Sequence, residues 1–234
     1  MSGIILALDF PSASRALALI DLLAGRVNFY KVGLELFARE GPAVVHHLRR
    51  RKKQVFLDLK LHDIPRTVAG AVAAASEMGA RLVTVHTSGG AHMMEAAAEA
   101  AKGGTRLLGV TLLTSLGTSA LPPGADGVRV TPEDHVLQLA GRASAAGLDG
   151  VVASPLEAAA LRRRFGDRLL VVTPGIRLPQ QSRHDQRRVA TPRDAREAGA
   201  DYLVIGRAVT GAPDPRAALD AVERDLAPAV RDSC

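Results

Sequence analysis

Two aspartates bracket one lysine in the stretch DLKLHD at residues 58–63, a grouping that could carry proton-transfer chemistry. The stretch follows Gln54-Val55-Phe56-Leu57 and closes an apolar run of strand length. Alternate side chains of a strand share a face, so Phe56, Asp58 and Lys60 are predicted on one face, opposite Val55, Leu57, Leu59 and Leu61. Burying charges is costly unless they pair. The pattern therefore indicates either a salt bridge at a strand end or an ammonium held for chemistry.

Lysine is rare in this chain, which makes an inward-facing lysine informative. Only five of the 30 basic residues are lysines, at positions 31, 52, 53, 60 and 102. Arginine is therefore the default cation, and a lysine at position 60 is more readily explained by a chemical requirement. Asp63 lies just past the strand, where Ile64-Pro65 ends it.

Around this stretch, apolar runs alternate with helical patterns eight times, and no linker separates them. The predicted strands cover residues 4–9, 27–32, 55–60, 82–86, 106–113, 149–153, 169–173 and 202–205. The predicted helices cover residues 15–24, 34–50, 65–78, 90–102, 132–146, 156–164, 192–198 and 215–227. Such alternation predicts a parallel sheet, and eight units in 234 residues fit a single-domain (β/α)8 TIM barrel spanning 1–234. An open doubly wound sheet is the alternative.

Polar residues recur at the predicted carboxyl ends of the strands, where barrels of this kind carry their chemistry. They are Asp9, Lys31, Asp58, Lys60, His86, Thr114, Arg177, Gly206 and Arg207. The segments PGIR at 174–177 and Gly206-Arg207 follow strands seven and eight, a common place for phosphate. Glycine lets backbone N–H groups approach an anion, and arginine offers a fork of donors. The polar segment 180–188 could close over a ligand or be a surface connection.

Composition bounds the other possibilities. A basic run at 49–53 is predicted to be a solvated helix end rather than a nucleic-acid patch, since only 3% of residues are aromatic. The one cysteine, Cys234, excludes an intrachain disulfide and favours a reducing, cytoplasmic setting. We expect no signal peptide and no membrane span. His62 and His86 could approach the site, but a metal centre is not predicted.

The motifs LALDF, FYKVG, FLDLKLHDIPRTV, VTVHTSGG, VTLLTS, TPGIR, HDQRRVATP and ADYLVIGRAVT occur in this order over nearly the whole chain. Together they resemble the bacterial type of orotidine 5′-phosphate decarboxylase. The resemblance implies conversion of orotidine 5′-monophosphate to UMP and carbon dioxide, the last step of UMP biosynthesis. It also implies a homodimer with shared active sites, and a reaction without metal or cofactor.

The resemblance assigns roles to particular residues. The implied substrate-binding set is Asp9, Lys31, Asp58, Lys60, Asp63, Ile64, Thr67, Thr114, Arg177, Gln186, Gly206 and Arg207. Lys60 would donate the proton, within a charged network of Lys31, Asp58 and the partner subunit's Asp63. Asp9 and Lys31 would bind the ribose, together with Thr67 from the partner chain.

The remaining implied contacts concern the two ends of the substrate. Thr114 would meet the pyrimidine. Gln186 and Arg207 would hold the phosphate with the Gly206 backbone, and Arg177 would order that loop.

Two other readings remain open from the sequence. A related sugar-phosphate decarboxylase or aldolase on the same barrel also carries an Asp-x-Lys-x-x-Asp strand, and resembles metal enzymes. Thr114-Ser115 and the HDQRR segment favour the nucleotide enzyme. The second is a non-catalytic nucleotide-binding module, which the intact Lys60, Asp58 and Asp63 argue against.

Overall fold

A computed structural model describes residues 3–116, 130–179 and 188–227, and all its strands belong to one closed parallel barrel in the order β1 to β8. The strands are β1 Gly3–Ala7, β2 Phe29–Gly33, β3 Gln54–Leu61, β4 Leu82–His86, β5 Arg106–Val110, β6 Gly150–Val152, β7 Leu170–Thr173 and β8 Tyr202–Ile205. The helices are α1 Ala13–Leu22, α2 Leu34–Glu40, α3 Pro42–Arg50, α4 Pro65–Glu77, α5 Ala91–Ala100, α6 Pro132–Ala145, α7 Pro155–Phe165, α8 Pro192–Glu197, α9 Arg207–Thr210 and α10 Pro215–Leu226. The predicted (β/α)8 barrel is therefore confirmed, and the open sheet is wrong.

Strand alternation divides the core into two layers. The larger layer lies between strands and helices and contains Val55 and Leu57 of β3. The smaller layer fills the barrel interior, with Phe56 among its members beside Ile5, Phe29 and Leu82. The predicted faces of β3 are thus confirmed up to this point, and Asp58, two residues after Phe56, continues the inward-facing row.

Strand β3 then departs from regular geometry. Leu57 pairs with Val83 of β4, but the next pair is Leu61 with Val85, so three residues of β3 stand opposite one residue of β4. Such bulges re-aim side chains and often lie beside active sites. Lys60, within this bulge, has a φ of 50°, in the left-handed region that lysine rarely adopts.

Two predicted boundaries are wrong, and one short helix was missed. The helix predicted at 34–50 is two helices, because Gly41 turns the chain with a φ of 60° and Pro42 begins α3. Strand β5 ends at Val110 rather than at residue 113, which leaves Leu112 and Leu113 free to turn inward. The short helix α9 directly after β8 was not predicted.

Two other predictions concern the surface. The basic run does end a helix: α3 stops at Arg50, Arg51 pairs with Asp21 at 2.6 Å, and Lys53 donates to the Val27 carbonyl at 3.1 Å. Across residues 3–116, 130–179 and 188–227, we find no helix long and apolar enough to cross a membrane.

Gly150 of β6 provides a test of the barrel packing. A Cβ there would lie 2.6 Å from both the Cβ and the carbonyl oxygen of Leu170, and 2.8 Å from Leu108 Cδ2. We expect Gly150→Ala to lower the free energy of unfolding by about 1–3 kcal/mol, the usual cost of overpacking. Urea unfolding of the purified protein measures this loss.

Gly141 supplies the matched control, because it lies within α6 and an added Cβ meets nothing within 4 Å. Gly141→Ala should leave stability unchanged or raise it by up to about 1 kcal/mol, since alanine favours helix. Equal effects of the two substitutions would contradict the packing described for β6.

Candidate active site

A cavity of about 400 Å³ opens at the carboxyl ends of the strands. One side is charged and is formed by Asp9, Lys31, Asp58 and Lys60 from the first three strands and their ends. The opposite wall is apolar and is formed by Val110, Leu112, Leu113, Val152 and Ala153. The cavity is therefore large enough for a small molecule and has two chemically different sides.

Four alternating charges form a continuous chain along the charged side. Lys31 Nζ lies 2.8 Å from Asp9 Oδ1 and 3.5 Å from Asp58 Oδ2. Lys60 Nζ lies 2.8 Å from Asp58 Oδ1. The side chains of Lys31 and Asp58 are only 10% and 12% exposed, whereas that of Lys60 is 32% exposed. Of the two lysines in this row of charges, Lys60 is therefore the one whose ammonium is more exposed to the cavity.

The absence of a side chain at Gly33, at the end of β2, allows this close approach. A Cβ there would stand 2.7 Å from Asp9 Oδ1 and 2.9 Å from Lys31 Nζ. Any larger residue would therefore have to push the pair apart. The glycine in the FYKVG motif is explained by this contact between the ends of β1 and β2.

The two buried members of the chain hold each other charged. Burial alone would raise the pKa of Asp58, but the ammonium groups of Lys31 and Lys60, with hydrogen bonds from Lys60 and Thr84, hold it below its ordinary value. Burial would likewise lower the pKa of Lys31, yet Asp58 and Asp9 raise it. Both groups are consequently ionised across the neutral pH range.

The far end of the cavity is built by the loops after β7 and β8. Its lining residues are Pro174, Gly175, Arg177, Gly206, Arg207 and Thr210. Arg177 is buried and donates to the Ile176 carbonyl at 2.8 Å, while its backbone bonds to Ala190 at 3.0 Å. Two arginines therefore face one end of the cavity, as the sequence predicts for an anion site.

A buried ion pair supports the apolar wall from behind. Arg188 Nη1 donates to Glu157 Oε1 at 2.7 Å, and its Nη2 donates to the carbonyls of Leu112 and Leu113 at 3.0 and 3.2 Å. Glu157 lies in the first turn of α7. Burial raises the pKa of Glu157, although Arg188 opposes this shift. The arginine thus joins the chain after β7 to the loop after β5.

The structure brings most of the predicted site residues together, but not all. Asp9, Lys31, Asp58, Lys60, Thr114, Arg177, Gly206 and Arg207 line the cavity. Asp63, Ile64 and Thr67 do not: all three are exposed, and Asp63 Oδ1 accepts the Ile64 N–H at 2.6 Å. The predicted Gln186 lies outside the described residues.

His62 and His86 pair with each other instead of lining the cavity. Their rings stack with centroids 5.3 Å apart, and Ser88 Oγ lies 2.7 Å from His86 Nδ1. Burial, with help from His62 and Lys60, lowers the pKa of His86. In the described part of the chain, no group of three or more histidine, cysteine, aspartate or glutamate residues is arranged to hold a metal ion.

Sequence reasoning missed three contributors to this site. Thr84 is the one polar residue between Val83 and Val85 in β4, and its hydroxyl bonds to Asp58. A threonine on the inward face of β4, two residues after the interior Leu82, was a usable signal. Thr210 and the Glu157–Arg188 pair gave none, because their roles depend on contacts 31 or more residues apart in sequence or on the unpredicted α9.

A closed barrel with a lysine–carboxylate chain and an arginine-lined end defines a barrel enzyme that acts on an anionic substrate. Residues 2–222 match the family model described as Orotidine 5′-phosphate decarboxylase / HUMPS family. The chain belongs to that family. The family resemblance and the enzyme class predicted from the motifs are therefore confirmed.

Comparisons with individual proteins agree with this family. The chain is 51% identical to an orotidine 5′-phosphate decarboxylase from Halorhodospira halophila, covering 97% of this chain and 96% of the relative. It is 48% identical to the enzyme of that name from Nitrosococcus oceani, covering 96% and 97%. A crystal structure of orotidine 5′-phosphate decarboxylase from Lactobacillus acidophilus superposes with a TM-score of 0.83 at 36% identity, covering 97% of this chain and all of that one.

The low pKa of Asp58 predicts how stability responds to acid. A carboxyl whose folded pKa is depressed contributes stability that is present above its unfolded pKa, about 4, and lost as pH falls through the folded value. We expect the difference in unfolding free energy between the wild type and Asp58→Asn to shrink as pH falls from about 6 to about 2. Urea unfolding across a pH series measures this difference.

Asp167→Asn is the matched control, because it makes the same change at a fully exposed carboxylate before β7. Its effect should be small throughout, since exposed ion pairs contribute little. If the difference in unfolding free energy between the wild type and Asp58→Asn stays constant down to the lowest pH, the lowered pKa of Asp58 is contradicted.

Proposed function

We propose that this chain decarboxylates orotidine 5′-monophosphate to UMP, with Lys60 as the proton donor. The single observation that carries the proposal is the cavity-facing Lys60 ammonium, 2.8 Å from a carboxylate that is itself buried and paired. The enzyme name shared by relatives about half identical to this chain supplies the substrate. It also favours the nucleotide enzyme over a sugar-phosphate enzyme of the same barrel.

The reaction needs a positive charge beside the pyrimidine carbon that carries the carboxylate. When the bond to the carboxylate breaks, carbon dioxide leaves and the electron pair stays on that carbon. The Lys60 ammonium stabilises the developing carbanion and then transfers its proton to it, and water returns a proton to the amine. Two unit charges about 4 Å apart interact by roughly 4 kcal/mol at an effective dielectric near 20, so this term is substantial.

Asp58 has two roles in this scheme. It attracts the Lys60 ammonium and fixes its position, because Lys31 holds the other carboxylate oxygen. It would also repel a substrate carboxylate placed beside it, and loss of carbon dioxide would relieve that repulsion. We take stabilisation by Lys60 as the main term, since it acts where charge develops.

One lysine does not account for a large acceleration, which can require about 20 kcal/mol of barrier reduction. The arginine-lined end offers remote binding energy for the phosphate that can be used to assemble the site. In this pose Arg207 and the Gly206 backbone hold the phosphate, and Arg177 orders the loop beside them. The motifs assign Gln186 to the phosphate as well, and that residue lies outside the described part of the chain. Asp9 and Lys31 meet the ribose, and Thr114 with the apolar wall meets the base.

The exposed group after β3 supports a shared site between two subunits. Asp63 does not line the cavity of its own chain, and neither do Ile64 and Thr67. Ile64 is 66% exposed, the highest value among the large apolar side chains of the described residues. In a two-fold dimer these residues would reach the partner's cavity reciprocally. Asp63 would then complete the charged network, and Thr67 would touch the ribose.

The first test of the function is turnover by Lys60→Ala. Lys52 gives a matched control. Like Lys60, it has a left-handed backbone, with a φ of 57°, but its side chain is exposed and lies outside the cavity. Lys60→Ala should lose at least about 10³-fold in turnover of orotidine 5′-monophosphate, and Lys52→Ala almost nothing. The assay follows the loss of substrate absorbance with a chelator present.

Near-normal turnover by folded Lys60→Ala would reject Lys60 as the donor. Loss of wild-type activity on adding the chelator would favour the metal-dependent rival. Tight UMP binding by the wild type without turnover would favour a binding module.

A mixed-dimer experiment tests the shared site. Lys60→Ala and Asp63→Ala chains should each be nearly inactive alone. In a mixed dimer, one site carries both defects and the other combines an intact Lys60 with an intact Asp63. With random exchange, half of the dimers are mixed, so activity should recover to about a quarter of the wild type. Mass spectrometry confirms the exchange, and no recovery after confirmed exchange means that Asp63 acts within its own chain.

A further inference from the structure

Thr84 occupies the position on β4 where the bulge of β3 leaves the ladder unpaired. Residues 58–60 stand opposite this single residue, because pairing resumes only between Leu61 and Val85. The Thr84 side chain is fully buried and bridges the gap. Its Oγ1 accepts the backbone N–H of Lys60 at 2.8 Å and donates to Asp58 Oδ1 at 3.1 Å.

We propose that Thr84 is a positioning residue for the reaction, whose hydroxyl holds the Lys60 backbone and the Asp58 carboxylate in one fixed arrangement. This inference rests on the proposed role of Lys60. Thr84 does not line the cavity, so it would act only through these two residues.

The backbone of Lys60 needs such a contact. A lysine with φ 50° is strained by about 1–2 kcal/mol relative to ordinary geometry, and such strain persists only where the surroundings fix it. The N–H of Lys60 has lost its regular partner in β4, because the strand register skips it. The threonine hydroxyl replaces the missing backbone acceptor, and the left-handed turn can therefore be kept.

The same hydroxyl orients the carboxylate. Asp58 Oδ1 receives both the Thr84 hydroxyl and the Lys60 ammonium, while Oδ2 faces Lys31 at 3.5 Å. These three contacts leave the carboxylate little freedom to rotate. Since Asp58 sets the position of the Lys60 ammonium, the hydroxyl controls that position from two directions, through the backbone and through the carboxylate.

The contact is also suited to threonine in particular. A hydroxyl can accept one hydrogen bond and donate another at the same atom, which the geometry at Oγ1 requires. The β-branched side chain restricts rotation about χ1, so the oxygen is held in place. Valine has the same shape without the oxygen, and serine has the oxygen without the methyl group, so the two substitutions separate the effects.

The experiment compares Thr84→Val and Thr84→Ser with the wild type. Misplacement of a reacting group by about 1 Å can cost about 10²-fold in rate. We expect Thr84→Val to lower kcat by about 10- to 100-fold, with KM changed less than about threefold, because the arginine-lined end is untouched. Thr84→Ser should retain kcat within about threefold of the wild type, because the hydroxyl remains.

Thr87→Val is the matched control. Thr87 is also buried and follows directly after β4, but its Oγ1 donates to the Val110 carbonyl at 2.7 Å and touches neither Asp58 nor Lys60. Both valine substitutions remove one buried hydrogen bond, so both should lower the denaturation midpoint. Only Thr84→Val should lower kcat. Equal kcat for the two valine variants would overturn the proposal.

Two further outcomes are decisive. If Thr84→Val does not fold, Thr84→Ala removes the hydroxyl without placing a methyl against the Lys60 N–H and is measured in its place. If neither variant folds while Thr84→Ser does, the hydroxyl serves folding and the positioning role is rejected. Near-normal turnover by Lys60→Ala would instead reject Lys60 as the donor, and no turnover by the wild type would reject the decarboxylation, so these failures are distinguishable from failure of the Thr84 proposal.

Discussion

The burial of Asp58 is the constraint on which the rest of the site depends. A carboxylate inside the barrel is tolerated only when cations and donors surround it, and here Lys31, Lys60 and Thr84 do so. Lys31 in turn needs Asp9, and that pair fits only because Gly33 has no side chain. One buried charge therefore determines residue types on the first four strands.

The barrel provides the scaffold that supports these buried charges. Parallel strands place their inward-facing residues in layers, so an apolar layer that includes Phe29 and Phe56 lies beneath the charged one. The apolar interior layer stabilises the fold, and the layer above it contains the charged residues. The irregularity in β3 lies at the boundary between the two layers, which confines the strained backbone to the residues that use it.

Contacts behind the apolar wall join it to the chain that follows β7. The Arg188 side chain bonds to Glu157 and to the carbonyls of Leu112 and Leu113, so the loop after β5 is tied to the chain after β7. Buried ion pairs of this kind contribute little net stability, because desolvation offsets the attraction. They do fix relative position, and here the fixed element is the apolar wall opposite Lys60.

The sequence alone determined the strand–helix alternation, the inward face of β3 and the charged residues at the strand ends, because these depend on local periodicity and residue type. Its motifs also identified the family. Only the tertiary structure showed the bulge, the left-handed Lys60 and the role of Thr84, since each depends on register between β3 and β4. It also showed that Asp63 lies outside the cavity of its own chain. The first three of these features depend on contacts of Thr84 with Lys60 and Asp58, which lie 24 and 26 residues away in sequence, so the local pattern of β3 does not show them.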